Sequence, residues 1–259
     1  MRNHDDFGGL PRDLGLLRAL MGRRDVIRLA AGVGVLHLLG CGNDGNGGSG
    51  ECDPIPEETA GPFPGDGSNG PDVLSQGGVV RSDIRSSFGG STGTADGVPL
   101  TVTLTVVSAA NDCAPLAGYA VYLWHCDREG RYSLYSSGVT DQNYLRGVQE
   151  TGSSGQVTFT TIFPACYQGR WPHIHFEVFP SLAAATDEAN QVATSQLALP
   201  EGVCSEVYAT SGYEGSIANL QQVTLTNDNV FGEDGGASQL ATMSGSVADG
   251  YTATLQIPV

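Results

Sequence analysis

In the run Arg170-Trp171-Pro172-His173-Ile174-His175-Phe176-Glu177-Val178-Phe179, two histidines stand two residues apart. β-Branched and aromatic residues dominate the run, which predicts a strand. Side chains at i and i+2 of a strand share a face. His173 and His175 therefore present two imidazoles side by side, at a spacing that lets both reach one metal ion. The chain has only five histidines, and His4 and His37 fall in a leader-like segment, leaving His125 as the third in the body of the chain. Two tyrosines are candidate partners. Tyr132 follows the turn at 127–131, and Tyr167 lies in the loop that feeds directly into the histidine strand. Phenolate is a hard, strongly donating anion that favours ferric iron, and imidazole suits several metals including iron. Two phenolates and two imidazoles leave Fe(III) a residual positive charge and a position for substrate or hydroxide. A competing assignment is a zinc hydrolase site built from His125, His173 and His175. Cys126 could add a sulfur to it, but neighbours on a strand point to opposite faces, so Cys126 is expected to be buried or disulfide-bonded. Glu177 shares the histidine face, as an outer neighbour of the metal or in a salt bridge.

The elements that must position these groups read as β. Leucines and valines alternate with threonines over 100–107, and strands are also predicted at 118–125, 156–162 and 171–179. Weaker patterns occupy 191–199, 202–208, 221–226 and 251–257, and one short helix is predicted at 215–220. Short strands between Gly-rich turns point to an all-β fold, an antiparallel β-sandwich core. Residues 52–98 are rich in Gly, Pro and Ser and read as an extended N-terminal arm wrapped on that core. No internal repeat and no second folded domain is visible.

The 259 residues carry a formal charge of −16 and contain no lysine. Half of the twelve cationic residues and four aspartates lie in residues 1–40, so the remainder carries −18. Such a surface repels phosphate backbones and anionic lipid, which excludes nucleic acid as a partner and leaves only a covalent route to a membrane. It also disfavours anionic substrates unless an arginine lines the pocket. The start of the chain supplies the covalent route. Arg23-Arg24-Asp25-Val26-Ile27-Arg28 is similar to a twin-arginine export signal, and the apolar stretch after it is too short to span a bilayer. It ends in Leu38-Leu39-Gly40-Cys41, similar to a bacterial lipobox, in which the cysteine is lipidated. The expected organisation is an export signal at 1–40 (with Met1 or Met21 as the start), a flexible tether at 41–57 and a catalytic domain at 58–259. Cys41 anchors the protein to a bacterial membrane, facing the periplasm or cell surface. Disulfides are permitted there. Cys52, Cys113, Cys126, Cys166 and Cys204 leave an odd thiol, with the pairing open.

Together these residues resemble the intradiol ring-cleavage dioxygenases, the group containing protocatechuate 3,4-dioxygenase and catechol 1,2-dioxygenase. The matching pieces are Gly61-Pro62-Phe63; Arg81-Ser82-Asp83-Ile84-Arg85; Pro115-Leu116-Ala117-Gly118; Leu123-Trp124-His125-Cys126-Asp127; Gly130-Arg131-Tyr132-Ser133; Leu145-Arg146-Gly147; Thr161-Ile162-Phe163-Pro164; and the run from Arg170 to His175. They cover 58 to about 180 in the family's order. The resemblance implies an Fe(III) centre with Tyr132 and His173 as equatorial ligands and Tyr167 and His175 as axial ones. It implies that Arg170 stabilises negative charge on a bound, ketonised substrate, and that Gln196 lies near that substrate. Tyr167 and a bound hydroxide take up the catechol protons. The implied reaction inserts both atoms of O2 into a catechol and opens the ring to a cis,cis-muconate-type diacid. A non-catalytic surface binding module on the same scaffold is the remaining alternative. The short chain before the core argues against a helical dimer of the catechol 1,2-dioxygenase type, and the oligomeric state stays open.

Overall fold

The alternation in Pro99–Ser108 (β1) buries Leu100, Val102, Leu104 and Val106 and leaves the intervening threonines partly exposed, as a two-residue period requires. A computed structural model describes residues 52–259. The expected signal at 1–40, Cys41 and the tether up to residue 51 lie outside the described residues. Strand β1 pairs antiparallel with β2 (Ala114–Pro115) and β5 (Gln156–Ile162). On its other side β9 (Gly250–Pro258) runs parallel to it and pairs antiparallel with β8 (Thr242–Ser246). The second sheet has the order β4 (Arg146–Glu150), β3 (Ala120–Trp124), β6 (His173–Phe179), β7 (Ala193–Ala198), and is antiparallel throughout. The described chain is thus mostly strand, in two sheets, with few helices.

Every residue of β3, β6 and β7 is buried. A sheet shows that pattern when both of its faces are covered. On one face Val121, Leu123, Ile174, Phe176 and Val178 join Leu100, Val102, Phe159 and Ile257 of the first sheet in a single apolar core. Fully buried aromatic side chains such as Phe159 and Phe176 each contribute roughly 1.5–3 kcal/mol to that core. On the other face Tyr122, Trp124 and Phe179 pack with Tyr132 and with Val73, Leu74 and Val79 of the arm. The histidines of β6 point to this second, arm-covered face. Strand register places Arg146, Trp124, His175 and Gln196 on one rung across all four strands.

The arm is fixed to the domain from Cys52 onward. Cys52 is disulfide-bonded to Cys113 beyond β1, and the Ile55 N–H donates to Pro258 O. Residues 52–57, assigned to the tether from sequence, are therefore held against the domain. Cys126, Cys166 and Cys204 are buried and free.

Three expectations are corrected. Residues 202–208 form not a strand but a helix, α1 (Glu201–Tyr208), which buries Cys204, Val207 and Tyr208 at the helical i, i+3, i+4 spacing. Residues 221–226 are turns, closed by Asn227 N–H to Thr224 Oγ1. The pairing is not antiparallel throughout, because the last strand joins β1 in parallel. Strands β4 and β8 are not evident from local pattern. Their sequences, RGVQE and TMSGS, lack an apolar alternation. The short helix is present as α2 (Ser216–Leu220).

Candidate metal centre

Strand β6 delivers His173 and His175 to one face, as their spacing requires, and their Nε2 atoms lie 3.1 Å apart. Tyr132 arrives from the loop between β3 and β4, and Tyr167 from the loop between β5 and β6. Tyr167 Oη lies 3.1 Å from His173 Nε2 and 3.4 Å from Tyr132 Oη, and Tyr132 Oη lies 3.5 Å from His173 Nε2. Four donor atoms therefore converge on one point. Metal–ligand bonds of roughly 2 Å put neighbouring donors about 3 Å apart, so these separations suit ligands of a single ion.

The tautomer of His173 is set by its surroundings. Its Nδ1 faces the Trp171 carbonyl, which only accepts, so Nδ1 carries the proton and Nε2 offers a lone pair to the centre. His175 lies flat against Trp124, with ring centroids 4.9 Å apart at 8°, and its Nδ1 is buried without a partner. Burial, reinforced by Arg170, holds both imidazoles neutral, well below their ordinary pKa. Burial also pushes the phenols up: Tyr167 to about 12, and Tyr132 well above its ordinary value with Tyr167 beside it. Four neutral groups with lone pairs turned toward one another, three of them buried and Tyr167 half-buried, suit a bound cation that would draw the phenols into their anionic form. Among the described residues, no three histidine, cysteine, aspartate or glutamate side chains gather as a metal set. The centre is complete only when the two phenols are counted.

Arg170 borders this centre and is locked from two sides. Its Nε donates to Asp228 Oδ2 at 3.0 Å, and its Nη2 donates to Gln196 Oε1 at 2.7 Å. Gln196 passes the constraint to the arm by donating to Thr59 O. Sequence reasoning missed Asp228, because nothing local marks it. Its carboxylate also accepts from the backbone N–H groups of Trp171, Val230 and Phe231, and its side chain is fully buried.

A protein-family model described as Dioxygenase matches residues 69–183. An intradiol ring-cleavage dioxygenase from Tetranychus urticae superposes with a TM-score of 0.63 at 25% identity, over 80% of this chain and 94% of that one. The dioxygenase domain of a dioxygenase–carbohydrate-binding protein fusion from Streptomyces sp. SirexAA-E gives a TM-score of 0.50 at 25% identity, over 80% and 98%. The chain is thus similar to the intradiol ring-cleavage dioxygenases in sequence and in fold. A curated relative, the chlorocatechol 1,2-dioxygenase of Rhodococcus opacus, is 33% identical over 54 residues, which span 21% of its length and 21% of this chain.

The pieces that carry the family resemblance have physical roles here. Gly61 adopts φ +74°, and a Cβ on it would lie 3.3 Å from His175 Cε1, so only glycine lets the arm close over that ring. Phe63 packs on Tyr132 with ring centroids 5.0 Å apart. Arg146 is fully buried and donates to Phe63 O, Pro64 O and Ser133 O, which ties the arm to the loop bearing Tyr132. Gly147 lies where a Cβ would collide with Ile84 at 2.5 Å.

His125 is not one of the converging donors, which corrects the zinc assignment. Its Nδ1 donates to Cys126 O and its Nε2 accepts from Thr161 Oγ1, so both ring nitrogens are already used. Burial lowers its pKa to about 4. Glu177 lies farther along β6 and is not among the four donors. Burial and then Asp66 raise it to about 9, which makes it a neutral buried acid.

On the arm, burial raises Glu58 to about 7, Glu233 and Asp234 adding to the shift, with Gln239 and Arg170 opposing it. A carboxyl raised in the folded state contributes stability below its unfolded pKa and loses it as pH rises through the folded value. The expected result is a decline in Tm from the ordinary carboxylate range up to about pH 7, shallower in Glu58→Gln, as read by thermal melts across that range.

Proposed function

We propose that this protein is a non-haem Fe(III)-dependent intradiol dioxygenase that inserts both atoms of O2 into a catechol-type ring. Cleavage falls between the hydroxylated carbons and yields a cis,cis-muconate-type diacid. The observation that carries this reading is the convergence of Tyr132, Tyr167, His173 and His175 at 3.1–3.5 Å, with the His173 lone pair turned inward. These four residues would hold the iron. The ferric ion, when bound, supplies a Lewis acid that binds the deprotonated catechol and withdraws electron density from its ring.

The rest of the chemistry belongs to the chain. Tyr167, on the loop before β6, would be a phenolate with the ion bound, and its Oη is then the group placed to take up a substrate proton. Arg170 is the fixed cation for negative charge that develops on the substrate oxygen, and fixed charge is effective because it needs no reorganisation. Asp228 and Gln196 together hold the plane of that guanidinium. Trp124 and the arm at 61–63 cover the histidines and limit water. The two sheets stack as a β-sandwich behind this layer and make it rigid.

The same proposal places the protein outside the cytoplasm, exported by the twin-arginine signal at 1–40 and held to a bacterial membrane by lipid on Cys41. The Cys52–Cys113 bridge supports an oxidising compartment.

The visible absorption spectrum of the iron-loaded protein tests the centre. The expected result is a tyrosinate charge-transfer band that shifts when catechol is added and changes in Tyr167→Phe. A protein that stays colourless after loading with ferric iron would overturn the proposal.

A further inference from the structure

Positive charge is scarce around the centre, and the guanidiniums there are already engaged. Arg170 is ion-paired with Asp228, so the pair carries no net charge. Arg146, the other guanidinium near the histidines, is buried, and carbonyl oxygens of the arm and the Tyr132 loop occupy it. Arg131 is held by Asp127 and Glu129, and the chain has no lysine to substitute. Glu58 is half-buried on the arm, three residues before the Gly61 that closes over His175. It accepts from Gln239 Nε2 at 3.4 Å, and the same amide group donates to Gln196 O at 3.2 Å. Gln196 in turn holds Arg170. Glu58 is thus fixed in the network that orients Arg170. Glu233 and Asp234 are exposed on the turn that follows Asp228, and they act on Glu58 as like charges.

Resting on the ring-cleavage reading above, we propose that the substrate is a catechol whose ring substituents are neutral or cationic, and that Glu58 is the residue that selects against carboxylated catechols. A ring carboxylate brought beside Arg170 meets a guanidinium already engaged by Asp228 and Gln196. It also comes under the field of Glu58, which acts on the same Arg170. Like charges across a partly desolvated contact disfavour binding strongly, and a repulsive group of this kind is an effective source of specificity. A protonated amine meets the opposite field and is favoured. Glu58 ionises as pH rises through about 7, where it is faced by Arg170, Glu233 and Asp234, so discrimination sharpens over that interval.

The experiment uses the iron-loaded protein with four probes: catechol, 4-methylcatechol, 3,4-dihydroxybenzoate and dopamine. It reads kcat/KM from ring opening and, separately, Kd by calorimetry. The expected result is a kcat/KM for 3,4-dihydroxybenzoate at least about tenfold below that for 4-methylcatechol, with the difference mainly in KM. Dopamine equals or exceeds 4-methylcatechol. Glu58→Gln narrows the gap between 3,4-dihydroxybenzoate and 4-methylcatechol by about threefold or more, whatever its effect on catechol itself. Comparable cleavage and binding of 3,4-dihydroxybenzoate and 4-methylcatechol would overturn the charge selection. A gap unchanged in Glu58→Gln would overturn the role of that residue. Failure to cleave any of the four would instead remove the ring-cleavage reading, and the calorimetric order of affinities would still decide the charge selection.

Discussion

His173→Ala protein, loaded and purified alongside the parent, is expected to be colourless, to hold less than about a tenth of an equivalent of iron, and to retain below about a thousandth of the ring-cleaving activity. His173 Nε2 is the atom common to most of the close approaches in the centre: 3.1 Å to His175, 3.1 Å to Tyr167 and 3.5 Å to Tyr132. Its ring is also the one whose tautomer is fixed by a backbone carbonyl, that of Trp171. Removing it leaves two phenols and one imidazole, with the remaining groups neutral and no longer directed at a shared point. The fold itself is expected to survive. His173 lies at the first position of β6, and the apolar core on the far side of the sheet is untouched by the change. Circular dichroism therefore separates loss of metal from loss of structure. Metal analysis and the visible spectrum read the effect directly, and a coloured, iron-replete His173→Ala protein would show that the centre lies elsewhere.

Asp228→Ala is expected to lower stability by about 3–5 kcal/mol, the cost of leaving one partner of a buried ion pair uncompensated. The argument is specific to the geometry. The carboxylate is fully buried and accepts from Arg170 Nε and Nη2 and from three backbone N–H groups. Truncation strands all of these donors in a site that water does not reach, and each unsatisfied group adds its own penalty. A loss of that size corresponds to a fall in Tm of about 10 °C for a domain of this length. Asp228→Asn keeps the shape and part of the accepting capacity, and is expected to lose about half as much. Exchanging Arg170 for Met in the Asp228→Ala background removes the stranded cation and should recover part of the stability, which a double-mutant cycle measures directly. On the role proposed for Arg170, activity should fall in Asp228→Asn by roughly a hundredfold, because the guanidinium loses the partner that fixes its plane. Near-parental stability in Asp228→Ala would show that water or another acid replaces the carboxylate.

Much of the centre is legible in short stretches of sequence. The two-residue spacing of His173 and His175 puts their Nε2 atoms side by side because strand geometry is local. The alternation of 100–107 marks β1 for the same reason, and the aromatic and β-branched runs identify β3, β5 and β6. Tyr132 and Tyr167 stand out through their neighbours in the family motifs, since nothing in the residues alone distinguishes a ligand phenol from a packing one. Where local pattern misleads, the reason is physical. Val203, Val207 and Tyr208 occur in a short apolar segment that suits either period, and the chain resolves it as a helix that buries Cys204, Val207 and Tyr208 on one side. Strands β4 and β8 take their places from partners, with Gly147 admitted by the close approach of Ile84.

Candidate ligand types, the shared face of the histidines, the strand-rich character and the shortage of cations are all written in the order and kinds of residues. How these groups meet is a property of long-range packing alone. Packing chose the arm-covered face of the second sheet for the histidines, aligned Arg146, Trp124, His175 and Gln196 on one rung, paired Cys52 with Cys113, and set Asp228 against an arginine 58 residues away. It also used both nitrogens of His125 in hydrogen bonds to Cys126 and Thr161, which excludes that residue from the centre. Such contacts join segments distant in the chain, and local periodicity carries no information about them. They are settled when burial and hydrogen-bond satisfaction are met for the whole domain at once.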